Sequence, residues 1–195
     1  MCDQRIDIIA IQETMRTEFS LSELEPLSFH LFASHRLPSN GTTGHSDGIL
    51  LGVKDATFEV GSMDRGEFYV SMELFEWTLN FKWEVIVVYG SANHRLSRAF
   101  FDEVSKKVSA TQLLVVVGGD FNLICLVDDE SNNLVNLPRM HLFNDRIRDL
   151  GLRVGVTTKM RPFPYLGGGL KRGKGRIYAF RKRDNHHNTQ LKINK

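Results

Sequence analysis

The chain has 195 residues, of which 42% are apolar and 25% charged, with two cysteines and a formal net charge of +2. This is room for one globular domain, or one domain and a tail, around a single core. Cys2 and Cys125 cannot build a disulfide framework, no Cys/His spacing suggests zinc, the apolar runs are too short to span a bilayer, and Asp3, Arg5 and Asp7 break any signal-peptide pattern. Membrane, disulfide-scaffold and collagen-like classes are therefore excluded, and a reducing, intracellular compartment is expected.

In chain order, Ile6–Gln12 is a continuous Ile-rich run that predicts a strand buried on both faces and ending at Glu13. Leu31–Ala33 is a short candidate strand, residues 37–47 carry loop chemistry, and Gly48–Val53 predicts another strand. Phe58–Met63 and Phe68–Phe75 flank a hairpin-type turn at Asp64-Arg65-Gly66. Trp83–Tyr89 follows after a join near Asn80, and such short connections predict antiparallel pairing. Ser97–Ser109 places Phe100, Phe101, Val104 and Val108 at helical spacing, with Ser97 or Asn93 as candidate cap. Leu113–Val117 predicts a strand stopping at Gly118-Gly119, and Met140–Leu150 a helix closed by Gly151.

The charge is uneven. Residues 1–150 hold 13 Lys+Arg against 22 Asp+Glu, whereas residues 151–195 hold 12 Lys+Arg against a single Asp. The last stretch includes Gly167–Arg176, which has no period of 2 or 3.6, and a polar end. Its low hydrophobicity and high charge predict a mostly disordered tail. The expected division is a domain over residues 1–152 and a basic tail over residues 153–195.

Three features put polar residues at strand ends, where a sheet rim holds side chains rigidly. Glu13 follows the first strand, Tyr89 ends the Trp83–Tyr89 strand, and Asp120 and Asn122 follow Leu113–Val117 within Gly118-Gly119-Asp120-Phe121-Asn122. A carboxylate can hold a hydrated Mg²⁺, a second can orient or deprotonate water, and an amide and a phenol can donate to a phosphoryl oxygen. Together these are the parts of a metal-assisted phosphodiesterase.

Asp7–Thr14 (DIIAIQET) resembles the metal-ligand strand of the endonuclease/exonuclease/phosphatase superfamily. Val87-Val88-Tyr89-Gly90 is similar to its tyrosine strand, and Gly119-Asp120-Phe121-Asn122 to its GDFN motif, in the same order and at similar spacing. Ser46–Val53 and the stretch from Leu142 to Leu152 look specifically like the endonuclease domain of plant non-LTR (LINE-type) retrotransposons. The resemblance spans roughly residues 4–152. It implies an α/β fold, a four-layer α/β/β/α sandwich that is incomplete here, and Mg²⁺- or Mn²⁺-dependent nicking of DNA in the nucleus, with no small-molecule cofactor. Carried over by position, it implies that Glu13 binds the metal. Asp120 would orient or activate the attacking water, Asn122 would hold the phosphate or transition state, and Tyr89 would hydrogen-bond the scissile phosphate.

The chain also departs from the pattern. The family's first strand, with an Asn of the metal and phosphate site, has no counterpart ahead of Ile6. Its Thr-Trp-Ser-Asn-like strand, a further Asp and its Ser-Asp-His motif have none after Arg153. The change in composition there fits a frameshift or altered splice. Asp184-Asn185-His186-His187 lacks the apolar flank needed to enter a sheet and is not read as a replacement. Truncation at both ends predicts little or no nuclease activity. The rival reading is a noncatalytic nucleic-acid-binding fragment acting through the tail, which binds phosphates with strong salt dependence. A phosphatase acting on small phosphoesters is disfavoured by the retrotransposon-like stretches. The scattered histidines have no metal spacing, and Cys125 reads as a small apolar filler.

Overall fold

The computed structural model describes residues 7–12, 20, 32–37, 48–91, 93–123, 136–154 and 180–182. The smaller sheet contains β1 (Ile8–Gln12), β2 (Phe32–Leu37) and β3 (Ile49–Lys54), in the order β1-β3-β2 and antiparallel throughout. The larger sheet adds β4 (Phe58–Arg65), β5 (Tyr69–Glu76), β6 (Phe81–Tyr89), β7 (Leu114–Asp120), β8 (Leu152–Val154) and β9 (Phe180–Lys182). Its order is β4-β5-β6-β7-β9-β8, with β6 and β7 the parallel pair. Between them runs α1 (Ser97–Ala110), a crossover helix of the kind that parallel neighbours require. α2 (Leu137–Asp149) precedes β8.

Period-2 alternation on β6 explains the layering. Trp83, Val85 and Val87 pack with Leu51 and Val53 of β3 and with Phe58, Val70, Met72, Leu74 and Leu114, forming the core between the sheets. Ile86 and Val88 point the other way. They join Val115 and Val117 against Phe100, Phe101, Val104 and Val108 of α1 and Phe143 and Ile147 of α2. Three layers are thus described, sheet on sheet on helices. Among the described residues no helix is long and apolar enough to cross a membrane.

Several expectations meet local corrections. β1 is half-buried rather than buried on both faces, because β3, not β1, is the central strand of its sheet. β7 runs through Gly118-Gly119 to Asp120 instead of stopping at the glycines. The hairpin turn lies after Arg65, since β4 gains length through an irregularity in pairing between Val60 and Met63. Ser97 does not cap α1. Leu96 stands at that position without a side-chain bond, Ser97 Oγ accepts from Arg139, and Asn93 Oδ1 caps the preceding 3-10 turn through the Arg95 N–H. α2 starts earlier than expected, capped by Asn136 accepting from the Arg139 N–H. It ends as predicted, with Gly151 at φ +65°. Within residues 153–195, expected to be mostly disordered, positions 153–154 and 180–182 are sheet strands. The rest of that stretch lies outside the described residues, as do most of the loop at 37–47, Cys125 and Asp184–His187.

One polar network ties α1 to the larger sheet on its helix side. Lys107 of α1 reaches the buried Glu84 of β6 at 2.9 Å and Asp64 at 3.0 Å, and Tyr69 donates its hydroxyl to Asp64 at 2.8 Å. Burial, and then the hydrogen bond to the Asp64 carboxylate, push the Tyr69 phenol well above its usual range. Burial pulls Lys107 down, but its bonds to Glu84 and Asp64 outweigh this and hold it above its ordinary value. Both groups bind their protons more tightly when folded. Their contribution is therefore complete below about pH 10 and is lost as pH rises beyond it. Urea midpoints measured on either side of about pH 10 should fall on the alkaline side, and Tyr69→Phe should flatten that fall.

Candidate active site

The parallel register sets Tyr89 opposite Asp120, at the carboxyl ends of β6 and β7. Open α/β sheets present ligand sites at strand ends of this kind. Gly90 N–H donates to the Asp120 carbonyl at 2.6 Å and closes the pair. A Cβ at Gly90 would lie 2.2 Å from the Phe121 carbonyl oxygen, so the two chains approach more closely here than a side chain permits.

Phe121 turns the motif into a fixed object. It is 2% exposed, within a run of aromatic contacts from Phe68 through Phe100 to Phe121, and on through Phe143 to Phe101. With that ring anchored among the helices, its neighbours Asp120 and Asn122 are left at the rim. Asn122 lies in the left-handed region at φ +49°, which Asn tolerates because its side chain bonds locally. Its N–H donates to Asp120 Oδ1 at 2.8 Å, and its Nδ2 donates to the Gly90 carbonyl. Three of the four sequence-predicted residues, Tyr89, Asp120 and Asn122, are thereby gathered in one place. Glu13 lies outside the described residues.

Sequence reasoning missed Gln12, whose side chain leaves the smaller sheet to bond Val88 and Asp120 in the larger one. The only signal was a polar residue closing an apolar strand. Gly119 is equally specific. It stands at φ +135°, and a Cβ there would lie 2.0 Å from the Val88 carbonyl oxygen. Gly119→Ala is expected to cost about 1–3 kcal/mol from the forced backbone conformation alone. A thermal melt would register it, and an unchanged midpoint would show that the rim relaxes freely.

The available donors near Asp120 are oxygens of carboxylate, amide and phenol, the hard set suited to Mg²⁺ or Mn²⁺ rather than to a soft metal. Among the described residues, no group of three His, Cys, Asp or Glu side chains stands ready to hold a metal.

Solved structures share this architecture. The human Nocturnin catalytic domain aligns with a TM-score of 0.56 at 11% identity, over 91% of this chain and 69% of that one. The endonuclease domain of TRAS1, a telomere-specific non-LTR retrotransposon, aligns at 0.55 and 13%, over 89% and 72%. An endonuclease/exonuclease/phosphatase family protein from Leptotrichia buccalis aligns at 0.52 and 15%, over 91% and 76%. The fold is that of the endonuclease/exonuclease/phosphatase proteins. At such identities the likeness is one of fold. No family model and no curated protein matches the chain. Within this fold, the paired rim of β6 and β7 brings together Tyr89, Asp120 and Asn122.

Proposed function

We propose that the chain is a metal-dependent phosphodiesterase of the DNA-endonuclease kind, related to the nicking domains of plant LINE-type retrotransposons and acting slowly in the nucleus. The observation that carries this reading is the convergence of Tyr89, Asp120 and Asn122 on the β6/β7 rim, with Asp120 and Asn122 locked in one turn. Asp120 orients the attacking water and takes its proton as the water oxygen bonds to phosphorus and a P–O ester bond breaks. The Asn122 amide and the Tyr89 hydroxyl donate to the phosphoryl oxygens as charge builds on them. Glu13 would hold Mg²⁺ or Mn²⁺, which would supply Lewis-acid stabilisation of that charge. Residues 1–152 constitute the catalytic unit, and the basic residues of 153–195 add sequence-independent attraction to nucleic-acid phosphates.

Purified protein should nick supercoiled plasmid slowly in Mg²⁺ and stop when EDTA removes the metal. Nicking that persists in EDTA would exclude the metal-dependent mechanism. A folded sample with no nicking, whose DNA binding disappears only on deleting residues 153–195, would instead establish the noncatalytic binding reading suggested by the charge of that stretch.

A further inference from the structure

The Gln12 amide occupies a place that a regular sheet leaves to backbone. Tyr89 donates its N–H to Phe68, just ahead of β5, and Gly90 donates to Asp120 of β7, so Val88 and Gly90 turn their polar groups toward β7. With Val88 opposite Gly119, a regular parallel ladder joins the Val88 carbonyl directly to the Asp120 N–H. The Gln12 side chain reaches both of these groups. Its Nε2 donates to the Val88 carbonyl at 2.5 Å, and its Oε1 accepts from the Asp120 N–H at 3.0 Å. A primary amide offers the donor and acceptor of a peptide group, so it can serve as an extra rung. Gly119 leaves room for the amide, since a Cβ there would press on the Val88 carbonyl and lie 3.0 Å from Gln12 Nε2. The rung comes from the other sheet, 108 residues before Asp120.

We propose that Gln12 is a positioning residue for phosphodiester cleavage, its amide splicing the end of β1 into the β6/β7 ladder and so fixing where Asp120 stands. This rests on the catalytic reading of Asp120 given above. Packing alone does not call for the arrangement. An apolar side chain at position 12 would fill the space between the sheets, and the β6/β7 ladder pairs those two strands without it. The amide adds a polar link from β1 to the backbone of the very residue that activates water, and Gln12 immediately precedes Glu13 in the chain.

The test uses the full chain with Gln12→Ala and Gln12→Glu. At neutral pH the Glu carboxylate would face the Val88 carbonyl and repel it. Once protonated, its O–H and C=O would reproduce the donor and acceptor of the amide. For Gln12→Ala, kcat for plasmid nicking in Mg²⁺ should fall about 10–100-fold with KM changed by less than about twofold. For Gln12→Glu, the rate relative to wild type should rise about tenfold between about pH 8 and pH 5, while the same ratio for Gln12→Ala stays flat. The Asp120 amide resonance should shift in both variants at neutral pH and return to its wild-type position only in acidified Gln12→Glu. A wild-type kcat in Gln12→Ala, or no acid recovery in Gln12→Glu, overturns the proposal and leaves the catalytic reading standing. A wild-type chain that does not nick overturns the catalytic reading instead, and the Asp120 resonance then decides the bridge by itself. If Gln12→Ala does not fold, hydrogen exchange in the wild type decides: slow exchange at the Asp120 N–H and the Gln12 amide is expected, and rapid exchange at both removes the bridge.

Discussion

Asp120→Asn is expected to lower Mg²⁺-dependent nicking by about 10²–10⁴-fold while leaving the protein folded. The reason lies in what each oxygen of Asp120 does. Its Oδ1 accepts the Asn122 N–H and fixes the turn, a task that an Asn carbonyl performs equally well. In the proposed mechanism its negative charge takes a proton from water, which a neutral Asn side chain does not do. The substitution therefore separates chemistry from architecture. Asp120→Ala removes both, with an added stability cost of about 0.5–1.5 kcal/mol for the lost bond. Nicking rates and melting midpoints of the two variants together check this. An Asn variant as active as wild type would mean that Asp120 shapes the rim and does no chemistry there.

How far the sequence reveals this molecule depends on whether the relevant contacts are local. β6 and α1 are legible because their periods, 2 for Trp83, Val85 and Val87 and 3.6 for Phe100, Phe101, Val104 and Val108, report a buried face directly. The parallel pairing of β6 with β7 is consistent with a helical stretch lying between them. The extent of β7 was misread because glycine is ordinarily a poor strand residue. Gly118-Gly119 remains in the strand because Gly119 accommodates both the Val88 carbonyl and the Gln12 amide, two groups contributed by distant segments. No propensity for residue 119 carries that information. The same holds for Gln12, whose partners lie 76 and 108 residues away. The motif from Gly119 to Asn122 could be picked out because its turn is built within itself, from the Asp120 carboxylate to the Asn122 N–H. The local sequence assigns Phe121 no role, yet its burial against Phe100 and Phe143 is what leaves the two polar neighbours at the rim.

Stability has a separate origin, about five residues back along β6 from Tyr89, or about 16 Å at strand rise. Glu84 is 3% exposed, on the helix-facing side of the strand among apolar neighbours. A carboxylate in such a place persists only when paired, and Lys107 supplies the pair at 2.9 Å. Lys107→Met keeps the aliphatic stem and removes the charge, stranding Glu84. The expected loss is about 3–5 kcal/mol of unfolding free energy by urea denaturation. Asp64, the other partner of Lys107, is about half exposed and returns to water at little cost, so the loss is assigned to Glu84. Combining Lys107→Met with Glu84→Leu should recover most of the deficit, because an apolar pair in the same volume carries no desolvation penalty. If the double variant is as unstable as the single, packing of the lysine stem and not the buried charge holds α1 to the sheet. Recovery would instead show that the ion pair is dispensable once both charges are gone.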